Sequence, residues 1–272
     1  MTDYRLVAFD MDGTLLDSTR NLQPGTRKAF HAMHAAGTRI MLASGRPVPG
    51  LHLLAKKHGL GENLVFAAMN GSVVVDQATD EIIASHALPK DVANNLIRAA
   101  KAAGILVMIP HGADLYVEDD SSERVHYEAE GNDLTLRVVE DLTTIEPDPT
   151  KIVFVADREL SQSLHDELLR EYAGRIELAY SSPIYLEATA AGIDKGSAIE
   201  DFCTANGLTL DQVIAFGDNG NDIGMLRKAG LGVAMGNGIP EAKGAADLVT
   251  TSNDDEGIAR VLAEHFEFDT DF

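Results

Sequence analysis

Short apolar runs alternate with helix-patterned stretches along most of this chain, and that alternation restricts the fold more than any other feature. LVAF (6–9) is rich in strand formers and runs straight into Asp10. Residues 24–36 carry a helical pattern, opened by Pro24 and stopped by Gly37. RIMLA (39–43) reads as the next strand, 48–58 as a helix closing at His58-Gly59, and LVFAA (64–68) as a third strand. Strands separated by helices pair in parallel through crossovers. SVVV (72–75) and EIIAS (81–85) read as a hairpin, and then the rhythm changes. A helix at 90–103 precedes ILVMI (105–109), DLYVE (114–118), KIVFVA (151–156) and IELAY (176–180), with another helix at 159–171. Runs of strands with segregated helices suit an α+β unit. From 195 the first rhythm returns. KGSAIEDFCTANG is a helix with a glycine stop, VIAFG (213–217) a strand, NDIGMLRKAG a helix, LGVAM and ADLVT short strands, and 256–265 a last helix. The chain therefore reads as an α/β core, residues 1–85 and 185–272, interrupted by an inserted α+β domain at 86–184.

The length of 272 residues is enough for such a pair. The charge excludes several classes of partner. With 22 basic and 43 acidic residues the formal net charge is −21. Nucleic acids and anionic membranes need a basic face, so neither is an expected partner. A phosphorylated small molecule stays open, because a bound divalent cation supplies positive charge locally. Cys203 is the sole cysteine, which rules out an internal disulfide and a thiolate metal site. It lies in the apolar stretch IEDFC and reads as a buried, inert thiol. ILVMI and IVFVA fall far short of the ~18 apolar residues that span a bilayer. Asp3 and Asp10 interrupt any signal-peptide core, so the expected location is the cytoplasm.

Four stretches carry chemistry. In FDMDGTLLD (9–17), Asp10 and Asp12 follow a strand, at the sheet edge where ligands bind in parallel α/β folds. Gly13 permits the turn that lets both acids face one pocket, and Thr14 offers a hydroxyl. The same residues also suit a solvated strand-end turn. In ASGRP (43–47), Ser44 and the Gly45 N–H can donate to a phosphate, although taken alone the stretch reads better as a helix cap. Lys195 stands at a helix start, where the dipole disfavours a cation; an anionic partner makes sense of it, and a snorkelling surface lysine is the plain alternative. In FGDNGNDIGML (216–226), Asp218, Asn219, Asn221 and Asp222 lie between a strand and a helix. Acids and amides together suit a hard cation such as Mg²⁺, or a capping turn. A parallel sheet brings all four stretches to one edge.

In order, these four stretches resemble the motifs of the haloacid dehalogenase-like hydrolase superfamily, and within it the Cof-type phosphatases with a large αβ cap. MNGS (69–72), SSPIYLEATAAGIDKG (181–196), AGLGVAMGNGIPEAKGAADLVT (229–250) and SNDDEGIARVL (252–262) agree. Gly238 and Ser72 depart from it, since alanine is expected at each. The resemblance implies a Rossmann-like parallel sheet with helices on both faces. It implies a phosphatase in which Asp10 is the nucleophile and Asp12 the general acid and base. Asp10, the Asp12 carbonyl, Asp218 and Asp222 would serve Mg²⁺, the implied cofactor. Ser44, Gly45, Lys195 and Asn221 would contact the phosphoryl group. The implied substrate is a small phosphorylated metabolite, such as a sugar phosphate or a phosphorylated cofactor (FMN or PLP), chosen by the inserted domain. His111, Asp114, Tyr116 and Arg124 are that domain's polar candidates. A phosphomutase of the same fold, and a phospho-accepting or metabolite-binding protein without turnover, remain as alternatives. The oligomeric state is not readable from the chain.

Overall fold

The computed structural model describes residues 3–271, which divide into two compact units. The first comprises the chain up to Ser44, Leu54–Ala84 and everything from Asp194; the second comprises Gly45–Leu53 and Ser85–Ile193.

The chain opens with β1 (Leu6–Asp10), α1 (Pro24–Ala36), β2 (Arg39–Ala43), α2 (Val48–His58), β3 (Leu64–Ala68), β4 (Val73–Asp76) and β5 (Glu81–Ser85). The second unit then supplies α3 (Lys90–Ala102), β6 (Leu106–His111), β7 (Asp114–Val117), α4 (Glu123–Gly131), β8 (Thr135–Val138), β9 (Lys151–Val155), α5 (Arg158–Glu171), β10 (Ile176–Ser182) and β11 (Tyr185–Ala190). The first unit closes with α6 (Lys195–Asn206), β12 (Val213–Gly217), α7 (Ile223–Lys228), β13 (Leu231–Ala234), α8 (Pro240–Ala245), β14 (Leu248–Val249) and α9 (Gly257–Leu262).

The first unit's sheet has the order β14-β13-β12-β1-β2-β3-β4-β5. Pairing is parallel from β14 through β3 and antiparallel between β3 and β4. The central strands β1, β2, β3 and β12 are buried on both faces, which is why they read as unbroken apolar runs. Leu6, Ala8, Met41, Ala43, Val213 and Ala215 pack under α6 through Ala198, Ile199 and Phe202. On the opposite face the Phe9 ring lies 5.2 Å from both Phe30 of α1 and Phe216 of β12. Burying each such ring contributes about 1.5–3 kcal/mol. Register decides the site. β1 sits between β2 and β12, with Asp10 opposite Ala43 and Phe9 opposite Phe216. The loops after all three strands therefore leave from one edge, as the alternation predicts.

The second unit's sheet has the order β10-β11-β9-β6-β7-β8, antiparallel except between β7 and β8. Its strands alternate with period two. Val107, Ile109, Ile152, Phe154, Leu186 and Ala188 face α3 and α5, while Met108 and Val153 face α4.

Several expectations change. The core was expected to resume at 185, but β11 pairs antiparallel with both β9 and β10 and buries Leu186 and Ala188 in the second unit's core. The boundary consequently falls between Ile193 and Asp194, and Gly45–Leu53 groups with the second unit rather than the first. The helix expected across 221–230 starts later, at Ile223, after a short turn over Gly220–Asp222. The last helix is shorter than 256–265, because Glu256 has φ +55° and cannot join it. Cys203 is buried, and burial pushes its thiol up to about 11, as expected for an inert side chain. Among the described residues, no helix is long and apolar enough to cross a membrane.

Candidate active site

β1 delivers Asp10 to the edge of the sheet and the chain turns at once. The Leu15 N–H donates to the Asp10 carbonyl (3.1 Å) and the Leu16 N–H to that of Met11 (3.0 Å). Gly13 sits at φ +88°, and a Cβ there would lie 2.7 Å from Asp218 Oδ2. Only glycine lets this loop close against the loop after β12. Thr14 Oγ1 then donates to Asp218 Oδ1 at 3.0 Å. The hydroxyl read from sequence as an anion donor is thus committed to a carboxylate. Asp10 ends buried and Asp12 exposed, so the two acids occupy different environments.

Lys195 reaches the same point from the start of α6. Asp194 caps that helix, accepting the Ser197 N–H at 2.7 Å within a capping box. A Cβ on Gly196 would stand 2.6 Å from the Gly224 carbonyl carbon, so the two glycines let α6 approach α7, the helix that follows the loop after β12. The Lys195 side chain is fully buried, and Nζ donates to Asp10 Oδ1 (2.5 Å) and Asp222 Oδ1 (2.6 Å). The cation that looked misplaced at a helix start has two anionic partners. The other oxygen of Asp222 accepts the N–H groups of Asp218 and Asn219, both at 2.9 Å. Both oxygens of Asp222 are thereby engaged, and the loop carrying Asp218 is held in place. Behind it the Ile239 N–H donates to the Asp218 carbonyl at 2.9 Å. A Cβ on Gly238 would meet that carbonyl oxygen at 2.9 Å, which accounts for glycine at this position instead of alanine.

The electrostatics are unbalanced. Asp10, Asp218 and Asp222 each place an oxygen within 4.8 Å of the others, and the Lys195 ammonium is bonded to two of them. Burial pushes the Asp10 carboxyl up to about 8; Lys195 opposes this, while Asp222 and Asp218 add to it. Burial and then Asp222 raise Asp218 as well. Burial works against the charge on Lys195, but Asp10 and Asp222 outweigh it and raise its pKa. Three acids around one cation, with oxygen as the sole donor type, form a set that fits a hard divalent cation.

The remaining sequence candidates divide. Ser44 is buried just past β2, donating its N–H to the Ala67 carbonyl (3.0 Å) and accepting the Asn70 N–H (2.8 Å). Asn221 is exposed, and its Nδ2 donates to Asn70 Oδ1 at 3.2 Å. Asn70 belongs to no candidate set read from the sequence, where MNGS entered only as a point of family agreement. Gly45 falls in the second unit, where its carbonyl accepts from Lys151 Nζ at 2.7 Å.

A family model described as haloacid dehalogenase-like hydrolase matches residues 7–262. The chain belongs to this family. A haloacid dehalogenase-like hydrolase of Bacteroides thetaiotaomicron is similar at TM-score 0.86 and 32% identity, covering 97% of this chain and 100% of its own. Bacillus subtilis YitU, a 5-amino-6-(5-phospho-D-ribitylamino)uracil phosphatase, is 29% identical over 269 residues, 96% of this chain and 97% of its own. Escherichia coli YbhA, a pyridoxal phosphate phosphatase, is 27% identical over 280 residues, 96% of this chain and 98% of its own. The chain is accordingly a phosphatase of the haloacid dehalogenase-like group.

In this phosphatase two polar candidates of the second unit, Asp114 and Tyr116, have structural partners. Asp114 accepts from Arg137 Nε (3.0 Å) and from the Tyr116 hydroxyl (3.4 Å). Glu187 lies within β11 and pairs with Lys151 at 3.2 Å.

Proposed function

We propose that this phosphatase hydrolyses the phosphate ester of a small metabolite by way of a phosphoryl group carried on Asp10, with Mg²⁺ as cofactor. One observation carries the reading: Asp10 is buried at the central strand's end, bonded to Lys195, in a cluster with more acid than base.

In the first half-reaction an Asp10 carboxylate oxygen attacks phosphorus and the ester P–O bond breaks. Asp12 gives its proton to the departing alkoxide. In the second, Asp12 takes a proton from water as that water attacks phosphorus. The P–O bond to Asp10 breaks, releasing inorganic phosphate and restoring both acids. Asp12, exposed where Asp10 is buried, is suited to exchange protons between the halves. Asp10, the Asp12 carbonyl and Asp218 would hold Mg²⁺, with Asp222 as a further ligand or the holder of a metal-bound water. Its engaged oxygens favour the supporting role. When bound, the cation offsets negative charge on the phosphoryl group.

Ser44, Lys195 and Asn221, with the Gly45 N–H, are assigned to the phosphoryl oxygens. Such donors act by position and charge, and removing one costs about 10²–10³ in rate. Substrate choice is assigned to the inserted unit. The activities named for YitU and YbhA, on a ribityl phosphate and on pyridoxal phosphate, support sugar-like phosphates and phosphorylated cofactors, FMN and PLP among them, as the substrate class.

The test is phosphate release from a panel of such metabolites, with and without Mg²⁺, for wild type and Asp10→Asn. Mg²⁺-dependent release that the variant loses is the expected result. Equal release by both proteins removes Asp10 as nucleophile. Isomerisation of a sugar phosphate without phosphate release transfers the reading to a mutase.

A further inference from the structure

The turn between β3 and β4 holds its backbone in an uncommon state. Met69, Asn70 and Gly71 have φ of +51°, +57° and +98°. Glycine adopts such angles freely and asparagine with some tolerance, whereas methionine does so at a steric cost. Strain of this kind persists only where the surroundings enforce it, and it gathers at functional sites.

The surroundings here are the loops assigned to phosphate. The Asn70 N–H donates to the Ser44 carbonyl at 2.8 Å. Asn70 Oδ1 accepts from Asn221 Nδ2 at 3.2 Å. Gly71 presses against the residue before Lys195: a Cβ there would stand 2.2 Å from the Asp194 carbonyl oxygen. One turn thus touches the segments that bear Ser44, Asn221 and Lys195.

We infer that Asn70 is a positioning residue for phosphoryl transfer, and that the left-handed turn exists to present it. Its main chain fixes the peptide of Ser44. Its side chain fixes the carboxamide of Asn221, which is exposed and would otherwise turn freely. An amide nitrogen carries two hydrogens. With one given to Asn70, the second is aimed rather than left to rotate, and the Asn221 oxygen is kept away from an incoming anion. This inference rests on the proposed reading of Asn221 as a phosphate contact.

The variant Asn70→Gly separates this role from a purely structural one. Glycine keeps the left-handed backbone and the N–H to Ser44, and deletes only the carboxamide. The expected result is an unchanged or raised Tm with kcat/KM lowered about tenfold, the scale of one hydrogen bond in the transition state. Competitive inhibition by inorganic phosphate should weaken by a similar factor. Introduced into Asn221→Ala, the same change should cause no further loss. Unchanged kinetics in Asn70→Gly, beside a clear loss in Asn221→Ala, overturns the inference and leaves the proposed function standing. Additive losses overturn it too, because Asn70 would then act without Asn221. An Asn221→Ala enzyme with full activity removes the phosphate reading of Asn221, and the inference with it.

Discussion

Each unit of this hydrolase buries a lysine against carboxylate, and the two arrangements differ in balance. In the second unit Lys151 meets Glu187 at 3.2 Å, and Glu128 is close enough to feel Lys151, Glu187 and Arg46, two bases set against two acids. Lys151 also donates to the Gly45 carbonyl at 2.7 Å, and Glu187 accepts the Ser181 hydroxyl at 2.8 Å. In the first unit Lys195 meets Asp10 and Asp222 at 2.5 and 2.6 Å, with Asp218 alongside. A balanced buried pair is complete as it stands and serves the fold. An acid-rich cluster must hold a proton or take up another cation to offset its excess charge, and such an excess marks a candidate functional site.

The largest consequence concerns Asp10. Asp10→Asn should lower turnover by about 10⁴-fold or more, because the covalent route is lost. The metal-free variant should nevertheless be no less stable than wild type, since the change removes an excess buried acid. Thermal melting beside the rate assay checks both halves.

Next comes the balanced pair. Lys151→Met strands Glu187 and should cost about 3–5 kcal/mol, whereas Lys151→Met with Glu187→Leu should be near neutral. Denaturant melts of the single and double variants give the comparison. A double variant as unstable as the single one would make the pair more than structural.

Third is the effect of Mg²⁺ on stability. Asp10 is held at about 8, against an ordinary 3.8. Between those values the folded state keeps a proton that the unfolded chain releases, so this group's contribution to stability falls as pH rises from 4 to 8. Mg²⁺ bound at the proposed site would displace that proton. At a hundredfold excess over Kd it should stabilise by about 2.7 kcal/mol. At one fixed Mg²⁺ concentration the rise in Tm should be larger at pH 8 than at pH 5, where the proton competes for the site, and should vanish with chelator.

The smallest effect concerns Ser72, fully buried with a hydroxyl that has no hydrogen-bond partner among the described residues, in contrast to either lysine. Ser72→Ala should raise stability by about 1 kcal/mol, read as a few degrees in Tm.

The first unit was legible because its physics is local. A parallel strand buried on both faces is an apolar run, and its end is marked by the first acid after that run, as at Phe9-Asp10 and Gly217-Asp218. Helix caps such as Asp194 and stops such as Gly37 are single residues with single jobs. The second unit hid more. In α4 the buried residues are Val125 and Ala129, too few to mark a helical face. The strand β11 contains Glu187, whose burial makes sense only beside Lys151, 36 residues away. Asn70 was illegible for a similar reason: its worth lies in a left-handed backbone and in a partner 151 residues distant.

The most direct test is a calorimetric titration of the metal-free protein with Mg²⁺, for wild type and Asp218→Asn. Saturable binding of one Mg²⁺ per chain, abolished or weakened at least about tenfold in the variant, is the expected outcome, since a hard cation held by few carboxylates depends on each. No saturable binding to wild type, or equal affinity in the two proteins, would mean that the acids around Lys195 do not form a cation site.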